Sequence, residues 1–239
     1  MTIRKYIPDA ITSGNLICGS LGVIASFNGR LDLAFLLILG AAVCDFFDGF
    51  SARLLGAYSP LGKELDSLAD DISFGLLPAV IMFKLTGADG ILRYVPLLIA
   101  VFSALRLAKF NIDERQKENF IGLATPACAI LCGAIAYYVS KEPESFLATW
   151  CGTQLFIPCL SIVLCALLIC EVPMFSFKFK KGSPADARVN RLRIILAVLA
   201  VVSLILVAVF SVNWSMAAII SLLLYIVLNF VALALERKI

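Results

Sequence analysis

The chain has 239 residues, 61% of them hydrophobic and 15% charged, with a formal net charge of +3 and a mean hydropathy of +0.97. That composition excludes an ordinary soluble domain and marks an integral membrane protein. Histidine is absent, which excludes Ser-His and Cys-His nucleophile systems, a histidine proton shuttle and a histidine-ligated zinc site.

The opening residues, MTIRKYIP, contain Arg4 and Lys5 and no long apolar core, so no cleavable signal peptide is expected. Apolar runs long enough to cross a bilayer follow at 9–28, 31–55, 61–84, 91–110, 124–140, 155–175, 192–212 and 214–236. The fold class they predict is all-α, a polytopic membrane helical bundle of about eight transmembrane helices with both termini on one side. Residues 1–140 are read as the catalytic region, and 141–239 as helices for packing or dimer contact.

Of the 20 basic residues, one side would hold Arg4, Lys5, Arg53, Lys63, Arg106, Lys109, Arg115, Lys117, Lys178, Lys180, Lys181, Arg188, Arg191, Arg193, Arg237 and Lys238. The other side keeps Arg30, Lys84, Arg93 and Lys141. This bias places the termini in the cytoplasm of a cell-membrane protein. The stretch from Phe175 to Arg191 is read as a basic loop drawn to anionic lipids. The eight cysteines lie mostly in apolar runs, where they act as small hydrophobes, and their spacing shows neither a disulfide framework nor a metal pattern.

The second and third apolar runs carry acids where acids are costly. Asp45 and Asp48 are three residues apart, Asp66 and Asp70 four apart, so each pair projects from one helix face. Gly56 and Ser59-Pro60 break the helix between them and predict an antiparallel hairpin whose acidic faces meet. The ten residues from Asp45 to Leu55 span roughly 15 Å of helix, which sets the acids just inside the cytoplasmic membrane boundary. Four anions there repel unless protonated or met by cations. All-oxygen ligation suits hard divalent ions, and a two-metal site would stabilise attacking and leaving oxygens at a phosphate. Gly49, Ala52 and Gly62 are small where a nucleotide or phosphate would approach the backbone, and Arg53 is placed to meet phosphate oxygens.

Written out, the pattern is D-x2-D-G-x2-A-R-x8-G-x3-D-x3-D over Asp45, Asp48, Gly49, Ala52, Arg53, Gly62, Asp66 and Asp70. It resembles the complete signature of the CDP-alcohol phosphotransferase family. The resemblance implies transfer of a phosphatidyl-type group from a CDP-linked lipid to a small alcohol, with release of CMP. It implies that Asp45, Asp48 and Asp66 are metal ligands, that Asp70 is both a metal neighbour and the general base, and that two Mg²⁺ or Mn²⁺ ions take part. Gly49, Ala52, Arg53 and Gly62 would line the CDP site. Asp71 is off the pattern, about 100° round the helix from Asp70.

IPDAITSGNLICG (7–19), LDSLADDISFGLLPA (65–79) and ALRLAKFN (104–111) with the following FIGLATPA resemble the phosphatidylserine synthase branch of that family. Lys109 stands where that branch has arginine, and Ala124 where a proline often precedes Thr125-Pro126. The likeness puts Thr12 and Asn15 near the nucleotide and implies CDP-diacylglycerol and L-serine as substrates, membrane lipids as surroundings and a homodimer; nucleic acid is not an expected partner. Serine needs a cation for its carboxylate, which Arg106 and Lys109 are expected to supply. Glycerol 3-phosphate or inositol phosphate would be drawn to the same pair. Two remoter readings are an ion-coupled transporter, which would spread acids along a route, and a non-catalytic scaffold.

Overall fold

The computed structural model describes residues 6–113, 120–174 and 184–236. Helix α1 (Ile7–Phe27) starts with a proline in its first turn and runs antiparallel to α2 (Leu31–Leu55). α2 stops at Gly56, whose φ of 60° lies in the left-handed region, and Ala57 N donates to the Ala52 carbonyl across the cap. Ser59 then caps α3 (Pro60–Asp70): its hydroxyl accepts from Gly62 N at 2.8 Å, and Pro60 fills the first helical position. The expected hairpin is therefore present, punctuated where Gly56 and Ser59-Pro60 place it.

α3 does not end at Asp70. It continues through a π turn (Asp71–Leu76) into α4 (Leu77–Leu85). Pro78 has no N–H to offer the carbonyl four residues earlier, and the turn ahead of it is widened. A 3₁₀ segment (Gly90–Leu97) leads into α5 (Leu98–Ile112), and the chain goes on through α6 (Thr125–Lys141), α7 (Phe146–Cys151), α8 (Phe156–Ile169), α9 (Pro184–Val209) and α10 (Ser215–Glu236).

The architecture is helical, with one small addition: β1 (Phe120–Ile121) pairs antiparallel with β2 (Pro173–Met174). Beside it Gly122, at φ 77°, donates to Val172 O, and a Cβ there would lie 2.8 Å from Leu168 O. This clamp ties the stretch before α6 to the end of α8.

Among the described residues, five helical segments are long and apolar enough to cross a membrane: Ile7–Phe27, Leu31–Leu55, Gly90–Ile112, Asn190–Val209 and Ser215–Ala234. The expected count of eight is not confirmed. α6 has 17 residues and α8 has 14, and the helix through α3 and α4 begins with a charged stretch. α9 also begins earlier than the sequence suggests, so the end of the stretch read as a basic loop is helical from Pro184. Arg4, Lys5, Arg115, Lys117, Lys178, Lys180, Lys181, Arg237 and Lys238 lie outside the described residues.

α6 forms the centre. Ala129 and Ala136 pack with Ile38, Phe74, Leu77 and Ile81 between α2 and the α4 region, while Leu131, Cys132 and Ile135 join a larger core with α8 and α10. α1 closes onto the π turn through small residues: a Cβ on Gly19 would lie 2.9 Å from Ser73 Cα, and one on Gly22 would lie 3.0 Å from Leu77 Cδ1. That close approach sets α1 directly over the acidic hairpin.

Candidate active site

The two acidic faces meet. Asp45 and Asp48 on α2 and Asp66 on α3 each bring a carboxylate oxygen within 4.8 Å of the others. Asp48 is buried, and Asp66 Oδ1 is buried with no hydrogen-bond partner. Among the described residues, no Lys or Arg forms a salt bridge with these three acids. A buried carboxylate oxygen with nothing to accept from is costly. An all-oxygen triad with such an oxygen left over fits a hard divalent cation by donor chemistry. Asp70 lies one turn along α3 from Asp66 and is not one of the mutually close triad.

α1 supplies hydrogen-bond donors to both arms of the hairpin. Thr12 Oγ1 donates to Asp48 Oδ2 at 2.6 Å, and Asn15 Nδ2 donates to Asp70 Oδ1 at 3.0 Å. Thr12 and Asn15, expected beside a nucleotide, thus hold carboxylates. They differ in one respect: Thr12 also lines the adjoining cavity and Asn15 does not.

That cavity, of about 190 Å³, opens between the N-terminal end of α1, the C-terminal end of α2 and the start of α3. Thr12, Asp48, Gly49, Ala52, Gly62 and Asp66 line it. Gly49 faces open space, with nothing within 4 Å of where its Cβ would be. Gly62 is crowded instead: a Cβ there would lie 2.8 Å from Asp9 Oδ1 and 3.0 Å from Ser59 Oγ.

Sequence reasoning missed Asp9, Tyr58, Ser59 and Lys63, which also line the cavity. Lys63 follows Gly62 directly and Ser59 was legible as a cap, so both carried a signal. Asp9 and Tyr58 carried none, since only the fold brings the start of α1 against the hairpin loop.

Other expected residues are placed differently. Arg53 is exposed and absent from the lining; its Nε donates to the Gly49 carbonyl at 2.9 Å. Arg106 and Lys109 are not brought together. Arg106 is buried, its guanidinium 5.9 Å from the Phe110 ring centroid and within electrostatic reach of Asp70 and of Tyr225 on α10. Lys109 points outward and pairs with Glu171 just past α8 at 3.2 Å. Residues three apart lie only about 60° apart round a helix, so the two leave α5 from adjoining positions; Arg106 falls on the flank packed into the bundle and Lys109 at its exposed edge. Two residues past Lys109, Asn111 Nδ2 donates to Ser67 Oγ at 2.8 Å, tying the end of α5 to α3 between Asp66 and Asp70.

The family model for CDP-alcohol phosphatidyltransferases matches residues 5–167 of the chain. The chain belongs to that family. As a member it is similar to the CDP-diacylglycerol–serine O-phosphatidyltransferase of Bacillus subtilis strain 168, with 39% identity over 126 residues, 51% of this chain and 70% of the relative. It is similar to the enzyme of the same name from Mycobacterium tuberculosis H37Rv at 31% over 206 residues, 82% of this chain and 68% of the relative. To the archaetidylserine synthase of Methanothermobacter thermautotrophicus it is 35% identical over 130 residues, 52% of this chain; there it spans only 54% of the relative's length. The family match covers the acidic hairpin, the cavity, Arg106 and α6, and stops within α8.

Proposed function

We propose that this family member transfers the phosphatidyl group of CDP-diacylglycerol, or of a related CDP-lipid, to L-serine, giving phosphatidylserine and CMP. The observation that carries the reading is a cavity bounded by Asp48 and Asp66 of the acidic triad and floored by the small residues Gly49 and Ala52, in a chain of this family. The relatives' names differ in the lipid but share serine.

Asp45, Asp48 and Asp66 would hold divalent cations, Mg²⁺ or Mn²⁺ and two in number with Asp70 beside them. Bound there, the ions neutralise the diphosphate and the charge that develops on it during an in-line displacement. Thr12 orients Asp48 through its short hydrogen bond. Gly49 and Ala52 leave room for the cytidine diphosphate, and Gly62 lets Asp9 and Ser59 approach closely beside it. Arg53 joins them once its Nε leaves the Gly49 carbonyl. Arg106 faces the serine carboxylate from inside the bundle, and Lys109 contributes to the field from the rim.

Asp70 accepts the proton of the serine hydroxyl as that oxygen bonds to the lipid-side phosphorus. The bond from this phosphorus to the CMP oxygen breaks, and CMP leaves with the electron pair. Holding both substrates in line carries most of the acceleration, and the base adds a factor of about 10² to 10⁴.

The site faces the cytoplasm of the cell membrane in this reading: Arg53, Lys63, Arg106 and Lys109 lie towards its end of the bundle, while Arg30 and Lys141 meet at Asp32 at the opposite end of α2. Residues 1–140 carry the catalytic groups, and the C-terminal helices serve packing or homodimer contact.

CMP release by the purified protein tests the reading, with CDP-diacylglycerol and Mn²⁺ or Mg²⁺ and either L-serine, glycerol 3-phosphate, inositol phosphate or no acceptor. Serine-dependent release is expected. Release with another acceptor alone keeps the reaction class and discards serine; no release from folded protein with any acceptor overturns the transferase reading.

A further inference from the structure

Asn15 is 0% exposed and does not line the cavity. Its side-chain Nδ2 donates to Asp70 Oδ1 at 3.0 Å, and its backbone carbonyl accepts from Ser73 Oγ at 3.0 Å. The two bonds pin one residue of α1 to both ends of the short stretch where α3 gives way to the π turn. The helices are as close there as backbone allows, with the Cβ position of Gly19 2.9 Å from Ser73 Cα. π turns recur at functional sites, and this one begins directly after Asp70.

An amide suits the place. It donates without carrying charge, so it occupies one carboxylate oxygen without forming an ion pair that would hold the acid permanently. With Oδ1 engaged, the Asp70 carboxylate is fixed about its terminal torsion, and Oδ2 is the oxygen left for a substrate hydroxyl. A base that must meet a proton within hydrogen-bond reach loses rate when it can swing away.

The geometry assigns Asn15 the role of positioning residue for Asp70, distinct from the nucleotide contact implied by the family likeness. This rests on Asp70 being the base of the proposed reaction.

The test uses the full-length detergent-purified protein and compares Asn15→Ala and Asn15→Asp with the parent. For each, kcat and KM for CDP-diacylglycerol are measured at saturating serine, and CDP-diacylglycerol binding is measured by calorimetry with Mn²⁺ and without serine. In both variants kcat is expected to fall about 10- to 100-fold, with KM and Kd within about threefold of the parent. Asn15→Asp keeps the shape but replaces a donor with a second acid, so it should be no more active than Asn15→Ala. In an Asp70→Asn background, Asn15→Ala should cost little further, because the group it positions is already gone.

A raised KM and a weakened Kd at unchanged kcat would identify a nucleotide contact and overturn the proposal. An unchanged kcat, or an undiminished extra loss in the Asp70→Asn background, would overturn it too. Where Asn15→Ala does not fold, Asn15→Ser, a smaller donor, is read in its place, with an intermediate kcat at unchanged Kd expected. If the parent releases CMP only with another acceptor, serine falls while the same kcat and Kd comparison, run with that acceptor, still decides Asn15; if it releases CMP with none, the base role of Asp70 and the positioning role of Asn15 fall together.

Discussion

The hydroxyl of Thr12 on α1 lies 2.6 Å from Asp48 Oδ2 on α2, closer than the 3.0 Å to its own helix's Pro8 carbonyl. A hydroxyl has one proton to give, and a carboxylate is the stronger acceptor, so the bond runs from one helix to the next. Thr12 is buried and lines the cavity as well, which joins the cavity to the acidic triad through a single side chain.

Thr12→Val keeps the shape and removes the donor. Asp48 Oδ2 then loses its Thr12 donor, and outer-shell losses of this kind weaken metal binding about 10- to 100-fold. Mn²⁺ titration followed by electron paramagnetic resonance is expected to show that weakening, with Thr12→Ser close to the parent. Equal Mn²⁺ affinity in the valine variant would separate Thr12 from the triad's function.

Asp70→Asn is expected to lower turnover by about 10² to 10⁴ while CDP-lipid binding persists, because the amide preserves volume and loses only the proton acceptor. Stopped-time CMP assays alongside calorimetry read both quantities. Turnover within a few-fold of the parent would remove Asp70 from the base role.

Two glycines should respond in opposite ways. Gly19→Ala forces a Cβ against Ser73 where α1 and the π turn touch, and overpacking of this kind costs about 1 to 3 kcal/mol. Gly49→Ala meets open space, so the melting temperature should hold while KM for the CDP-lipid rises as the methyl enters the cavity. Thermal melts in detergent and steady-state kinetics on the pair check the contrast.

Arg106 and Lys109 should also separate. The Lys109 to Glu171 bridge is between exposed side chains, 40% and 70% accessible, and pairs of this kind contribute about 0 to 1 kcal/mol. Lys109→Ala is therefore expected to change KM for serine by less than about threefold. Arg106→Lys keeps the charge but loses the planar fork, and it should raise KM for serine about tenfold or more. Equal effects from the two would return Lys109 to the acceptor site.

The hairpin was legible because its signals are local. Acids at spacings of three and four share a helix face whatever the tertiary context, Gly56 ends a helix by its backbone freedom, and Ser59-Pro60 starts one by capping. The membrane character followed from hydropathy, and the meeting of the acidic faces from the hairpin; spacing alone made all four acids converge, and only the family resemblance set Asp45, Asp48 and Asp66 apart from Asp70. The number of spans was less legible: an apolar run does not fix the length of the helix formed within it, and α6 has 17 residues and α8 has 14.

Tertiary structure alone decided the partners of the acids. Thr12 and Asp48 are 36 residues apart and Asn15 and Asp70 are 55 apart, and no local periodicity records which residue of α1 will face which acid. The same holds for Asp9 and Tyr58 at the cavity, and for Arg106 turning inward while Lys109 turns out to Glu171. Spacing along one helix determines which side chains share a face. How deep each lies and what it touches depend on how closely neighbouring helices approach, which here is set by Gly19 and Gly22 against the π turn.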